Sequence, residues 1–293
     1  MAISHPLPDG FDINEGAVPA TLLLNILGKT KGDEVEVDVA ANEMTVSCGR
    51  MTAGLAWEDV KLPIDKIAMP DAKAWQNLSK GFLALLHLAA VSASKDTSSP
   101  VLTCVLVDGE GKRMVGCDNF QITFGTLTGL KLPSFLLPAQ AASAVCAFEP
   151  EAIALTEGWA HFVAKNDAVM SCRTAQGEYP KIDKIVASTG AEVEFPEGLG
   201  DMLDRAGVFA DEEFEQDRIV TLKLLKDKLA VSAKCSAGWL DEDLAWRHRG
   251  AEATITIHPD VLASALKLGR KVLVGDRAIV LKGEGFTHVV AIQ

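Results

Sequence analysis

No stretch of 18 or more consecutive apolar residues occurs in the 293-residue chain, so no spanning helix is expected. The opening MAISHPLPDG has neither a basic cluster nor an apolar core, so no secretory leader is expected there. The six cysteines (Cys48, Cys104, Cys117, Cys146, Cys172, Cys235) form no C-x-x-C pair, and none stands at a metal spacing from a histidine. They read as free thiols in a reducing compartment, which makes the expected location cytoplasmic, with no metal and no cofactor. Positive charge is scarce: 28 Lys and Arg face 40 Asp and Glu, a formal charge of −12. That excludes a protein that holds nucleic acid over its whole surface, but not one that gathers its few basic groups on one face.

The sequences that carry common chemistries are missing as well. Gly28-Lys29-Thr30 ends like a phosphate loop, but Leu23 stands where the loop needs its first glycine. Gly283-Glu284-Gly285 lacks the third glycine of a dinucleotide fingerprint, and His288 holds that place. There is no G-x-S-x-G and no H-E-x-x-H. The histidines are dispersed, and His87 lies in the apolar run FLALLHLAA, where a core or rim residue is the plain reading. Asp241, Glu242 and Asp243 read as an exposed acidic loop. No interleaving of aromatic and basic residues suggests a stack of single-stranded bases.

What is present is a repeat. Phe11–Trp57, Lys131–Tyr179 and Ala251–Gln293 share one pattern: a short strand, a proline (Pro19, Pro138, Pro259), a short helix with one apolar stripe, then three alternating strands. Proline at a helix start costs no hydrogen bond and presets φ. Period-two alternation marks half-buried antiparallel strands. Two further stretches resemble each other. One has a helix from about Asp71 to Ala93, then a hairpin turning at Gly109-Glu110-Gly111-Lys112. The other has a helix from about Gly198 to Phe209, then a hairpin turning at Lys226-Asp227-Lys228. The chain thus reads as five βαβββ units of two alternating kinds, an α+β protein: one lone unit in 1–62 and pairs of units in 63–190 and 191–293.

Several stretches carry a resemblance to a known family: VLTCVLVDGEGKRMVGCDNFQIT, RTAQGEYPKIDKIV, DMLDRAGVFADEEF, GAEATITIHPDVLASALK and the terminal HVVAIQ. In order and spacing the chain resembles the bacterial sliding DNA clamp, the beta subunit of the replicative DNA polymerase III, from about Val18 to the end. The resemblance implies the DNA-clamp fold, with inner helices and outer antiparallel sheets. It implies a homodimeric ring around duplex DNA, and a pocket that takes linear motifs of the polymerase and the clamp loader. Two departures stand out. The chain matches only about half of the family's first domain. The family's Thr-Asp-Gly-His-Arg-Leu run reads Cys117-Asp118-Asn119-Phe120-Gln121-Ile122, which keeps only the aspartate.

Position by position, the resemblance places the partner-peptide pocket at Leu102, Cys117, Asn119, Phe120, Gln121 and Ile122, then Pro180, Lys184 and Ile185, then Val289, Val290, Ala291 and Ile292. Alternation on a terminal strand explains the last set equally well as plain core. The DNA-facing groups are Lys73, Asn77 and Lys80 on one face of the 71–93 helix, Lys267, Arg270 and Lys271 at the end of the last helix, and Lys29 and Lys31 after the first. An ordinary solvated face is the alternative. The subunit interface falls on Arg50, Ala53 and Leu55 of one chain against Val208 and Phe209 of the other, with Arg50 near the 241–243 acids; Val208 and Phe209 also read as core. The expected function is a non-enzymatic processivity clamp. A clamp-fold interaction module that binds peptides without encircling DNA is the runner-up, and an enzyme on repeated units is the third reading.

Overall fold

The computed structural model describes residues 1–4, 16–32, 34–58, 60, 66–182, 190–210 and 218–293. Its architecture follows from short amphipathic helices laid across antiparallel sheets. Helix α1 (Ala20–Lys29) starts after Pro19 and α3 (Ala139–Phe148) after Pro138, while α5 (Pro259–Leu268) takes Pro259 as its first residue. Helix α4 (Leu199–Gly207) shows the apolar stripe most clearly. Leu199, Met202, Leu203 and Ala206 are buried at helical spacing, while Asp201, Asp204 and Arg205 face water.

The N-terminal unit is a single βαβββ motif. Strands β2 (Glu36–Ala40), β3 (Glu43–Cys48) and β4 (Met51–Ala56) form a three-stranded sheet under α1. Its small core holds Met44, Val46, Leu55 and Trp57, closed by Leu23 and Ile26 from the helix. The short strand expected near Phe11 lies outside the described residues.

The middle part doubles the motif. Its first half is β5 (Gln76–Asn77), α2 (Phe82–Val91), β6 (Cys104–Asp108), β7 (Arg113–Cys117) and β8 (Gln121–Thr126). Its second half is β9 (Phe135–Pro138), α3, β10 (Ala152–Thr156), β11 (Trp159–Val163) and β12 (Val169–Arg173). The halves exchange their first strands: β5 pairs with β10, and β9 with β6. Helices α2 and α3 pack together above a shared core that includes Phe82, Leu86, Val145 and Phe162. The C-terminal part repeats the device. There β13 (Ala191–Glu194) pairs with β18 (Lys271–Val274), and β17 (Ala253–Ile257) pairs with β14 (Val220–Leu224). Strands β15 (Lys228–Cys235), β16 (Gly238–Ala245), β19 (Ala278–Gly283) and β20 (Phe286–Ala291) complete it. Finally β20 pairs with β8, which fuses two sheets into one of eight strands, β13-β18-β19-β20-β8-β7-β6-β9.

Three elements differ from the sequence reading. The stretch expected as one helix from Asp71 to Ala93 is a 3-10 turn at Ala72–Ala74, then β5, then α2. Pairing with β10 and a double hydrogen bond between the Gln76 amide and the Lys131 backbone hold Gln76 extended. Gly81, at φ +89°, then turns the chain into the helix. The acidic residues 241–243 form no loop; they belong to β16. Ala2–Ser4 forms β1 and adds to the free edge of β12, a pairing that no sequence pattern announced.

Helix α2 lies directly on β7. A Cβ on Gly116 would stand 1.8 Å from the Ala89 carbonyl oxygen, so only glycine admits this approach. Gly116→Ala is therefore expected to destabilise the chain by about 1–3 kcal/mol through overpacking. A lowered urea midpoint at unchanged slope checks this.

Candidate functional site

The seam between β8 and β20 gathers most of the expected pocket residues. Ile122 stands opposite Val289, Thr123 opposite His288 and Gln121 opposite Val290. On one face of the joined sheet Cys117, Ile122 and Val289 are buried together with Cys104, Val115, Leu136, Ala278 and Val280, and Leu102 packs at the margin. The other face belongs to the C-terminal core: Val290 lies within it, and Phe120 and Ile292 pack against it. The expectation that Phe120, Val290 and Ile292 share the pocket with Val289 is thus corrected: Val290 follows Val289 on one strand and points to the opposite face, and Phe120 and Ile292, just outside their strands, pack on the C-terminal side. Ala291 is half-buried and donates its N–H to the Phe120 carbonyl. Asn119 is exposed in a turn whose shape Asp118 fixes by accepting the N–H groups of Phe120 and Gln121 at 2.7 and 2.8 Å. The Gln121 amide also donates to Asp118. Pro180 is exposed beside this face, whereas Lys184 and Ile185 lie outside the described residues.

Two residues that sequence reasoning missed line the same face, Tyr179 and Ile182. Tyr179 is the chain's single tyrosine. Its ring is buried, and its hydroxyl accepts the Cys117 thiol at 3.3 Å. Burial pushes the phenol well above its usual range and raises the thiol too. The only hint in the sequence was a lone aromatic residue in the polar run QGEYPK.

A buried polar chain crosses beneath the seam. Ser92 Oγ lies 2.6 Å from Thr123 Oγ1, which lies 2.7 Å from His288 Nδ1. Burial holds the His288 pKa down at about 4, so the ring is neutral at pH 7.

The basic groups fall in separate places. Lys29 and Lys31 are exposed at the end of α1. Lys267 is in the last turn of α5, and Lys271 opens β18. Arg270 is half-buried and bonds Glu197 at 3.1 Å, so part of its charge is spent locally. Lys73, Asn77 and Lys80 are exposed but share no helix face. They occupy the 3-10 turn, β5 and the turn before α2, which corrects the expected single face. His87 is an exposed residue of α2. The Trp246 and His248 rings stack at 4.9 Å, with Arg247 and Arg249 exposed between and beyond them.

Two sheet edges bear on self-association: β4 ends the three-stranded sheet and β16 ends its four-stranded one. Leu55 is not available to a partner, because it points into the core of its own unit at 4 % exposure. Ala53 is half-buried and Arg50 is exposed in the turn before β4. Val208 is 69 % exposed, and Phe209 lies half-buried against the C-terminal core. Of the acids on β16, Glu242 pairs with Arg205 and Asp243 with Lys228.

Among the described residues no cluster of His, Cys, Asp or Glu could hold a metal ion, and no helix is long and apolar enough to cross a membrane. No protein-family model matches the sequence, and no curated protein matches it. Solved structures do match. The DNA polymerase III subunit beta of Pseudomonas aeruginosa superposes with a TM-score of 0.78 at 16 % identity, over 98 % of this chain and 85 % of that one. A putative DNA polymerase III beta subunit from Eubacterium rectale gives 0.75 at 17 %, over 95 % and 81 %. A Pseudomonas aeruginosa sliding clamp bound to griselimycin gives 0.75 at 16 %, over the same shares.

The buried histidine gives a pH test. An unfolded histidine titrates near 6.5 and His288 near 4, so between these values the unfolded chain binds the extra proton. The stability His288 contributes is complete above about pH 6.5 and falls by up to about 3 kcal/mol as pH drops toward 4. Urea unfolding at pH 7.5 and 4.5 is expected to show a smaller pH effect in His288→Asn than in the parent. His161, whose pKa burial also lowers, accounts for part of the remainder. In chain path and sheet order, the protein has the fold of the bacterial sliding DNA clamps over nearly its whole length.

Proposed function

We propose that this chain is a sliding clamp: a processivity factor that encircles duplex DNA and tethers a replicative polymerase through the pocket at the β8–β20 seam. The observation that carries the reading is the match to sliding clamps along almost the entire chain. The chain then reads as half a clamp domain in 1–62, with β1 lent to the next domain, and two whole domains in 63–190 and 191–293. It works in the cytoplasm and its role is topological. It needs no catalytic residue and no cofactor; a loader ATPase and a polymerase are its protein partners.

The physical requirements of that role are modest. A sliding contact must be weak and blind to sequence, so it rests on a few phosphate contacts and not on base edges. Lys29, Lys31, Lys267 and Lys271 supply such contacts from helix ends without covering the acidic protein with positive charge. The pocket offers a short peptide an apolar floor of Ile122, Val289 and Leu102 with polar groups at its rim, as a linear motif requires. The β4 edge of one chain pairs with the β16 edge of another. This head-to-tail contact is heterologous and yields a ring where the rotation closes. It also covers backbone groups that two open edges otherwise expose.

Light scattering with negative-stain imaging tests the assembly. The expected result is a closed ring of two chains with a hole that admits duplex DNA, retained on circular DNA and released when the circle is cut. A monomer at every concentration would overturn encirclement. Val208→Asp is expected to halve the solution mass without unfolding the chain, because Val208 is largely exposed and touches little of its own core. For the pocket, Leu102→Asp is expected to weaken a polymerase-derived motif peptide by about tenfold or more, since it places a charge on the apolar margin. Calorimetry with the folded variant measures this.

A further inference from the structure

We infer that the rim of the C-terminal part around Trp246–Arg249 binds single-stranded nucleic acid, as a site distinct from the peptide pocket. The inference deepens the clamp reading and rests on it. Among the described residues no carboxylate forms an ion pair with Lys226, Arg247 or Arg249, and all three belong to one local structure.

That structure is fixed by the backbone. After β16 the chain stays extended, and the N–H groups of Trp246 and His248 donate to the carbonyls of Asp227 and Lys226 at 3.0 Å. The segment is therefore bound to the turn between β14 and β15, which carries Lys226. Alternation then sorts the side chains. Trp246 and His248 fall on one side, stacked at 16° between their planes, and Arg247 and Arg249 project to the other. The Trp246 ring also stacks on buried Phe195, and its Nε1–H donates to the Glu194 carbonyl at 3.2 Å, so the indole is a fixed base. His248 rides on it with Nε2 at 3.0 Å from the Ala251 carbonyl. Gly250 lets the chain curl beside the imidazole, since a Cβ there would stand 2.7 Å from the ring. Of the nearby acids Glu197 bonds Arg270 and Asp243 bonds Lys228, leaving Asp227, Glu252 and Glu194, whose carbonyl meets the Trp246 indole, beside the three cations.

The chemistry fits a single strand. Arg247 and Arg249, with Lys226 in the turn bonded to the same segment, offer contacts to phosphates, and on the segment's other side a half-exposed imidazole on a rigid indole offers a stacking surface that tolerates any base, so a strand that uses both crosses the segment. The location keeps the site apart from the pocket. The β8–β20 seam adjoins the start of α5, where the Phe120 ring meets His258 at 5.0 Å and Gln293 donates to Thr256. Glu194, Phe195 and Arg270 adjoin the end of α5, where the Phe195 N–H donates to the Arg270 carbonyl. Ten helical residues, about 15 Å, separate the two. A strand held here leaves the pocket open for a polymerase.

The test is anisotropy of a labelled oligothymidylate and, in parallel, a labelled blunt duplex, at several salt concentrations. Arg247→Glu with Arg249→Glu is expected to weaken the single strand about tenfold at low salt and to reduce the salt slope by about 1.4, two contacts' worth. His248→Ala is expected to weaken it about threefold at an unchanged slope. Duplex retention on the ring and motif-peptide affinity should stay at the parent's values. Arg247→Gln with Arg249→Gln repeats the test without charge reversal, and circular dichroism confirms the fold of each variant. Unchanged single-strand affinity in the arginine variants, equal losses on duplex and single strand, or no single-strand binding by the parent would each overturn the site. Failure to form a ring or to retain duplex would instead count against the clamp reading, which these binding curves do not measure.

Discussion

One pairing, β8 against β20, decides how the middle and C-terminal parts are joined. Each part has its own core, and through this pairing they share an eight-stranded sheet. The proposed peptide site falls on this pairing, because Ile122 and Val289 come from strands 167 residues apart and meet only in this register. Thr123 and His288 sit opposite each other in the same ladder, and Ser92 extends their contact into the end of α2. Buried polar groups at a junction favour one register over its neighbours, since a slip of one residue would leave hydroxyl and imidazole unsatisfied in an apolar setting. The seam is thus specified by polarity and stabilised by the valines, leucines and isoleucines on its two faces.

The strand exchange within each whole pair of units explains why the N-terminal unit looks different. In the other parts each helix has a partner helix, and each half closes the other's sheet with its first strand. Among the described residues α1 has no packed helix partner and no buried residue; Leu22 is 58 % and Leu24 69 % exposed. Among the described residues its unit's core is correspondingly small, four buried residues against twenty-three in the C-terminal cluster. A half-motif of this size buries too little apolar area to be very stable by itself. In the proposed ring, pairing at β4 does more than close the circle, because it adds a fourth strand to the smallest sheet of the molecule.

Much of this was legible in the sequence, and the exceptions have physical causes. The repeated prolines, the stripe of α4 and the charged hairpin turns are local signals, and the structure keeps each element where they put it. Gln76–Asn77 failed because two residues cannot show a period; their pairing with β10 is decided 75 residues away. Ala2–Ser4 failed for the same reason. Asp241–Asp243 misled because charge suggested a loop, although Trp239, Leu240 and Leu244 around it alternate as an edge strand does. The pocket was half legible. Its strand residues could be named but not assigned to a face, since β20 is buried on both sides and alternation carries no contrast there. Tyr179 was invisible as a member, because nothing local says that a tyrosine in a polar run will fold back onto Cys117.

The distribution of charge is the last constraint, and it separates two kinds of cation. Arg205, Arg218, Lys228 and Arg270 pair with Glu242, Asp260, Asp243 and Glu197, so they serve the C-terminal part's own architecture. Such pairs contribute little stability in water, but they remove those side chains from the supply that can meet phosphate. The cations outside these pairs lie at helix ends, on the Trp246–Arg249 rim and on strands and turns, as Lys223, Lys234 and Lys282 do. A protein with twelve more acids than bases repels DNA over most of its surface and attracts it only where cations gather. For the proposed clamp this arrangement has a definite consequence: each phosphate contact is weak enough to break, and the acidic remainder disfavours the duplex on other faces.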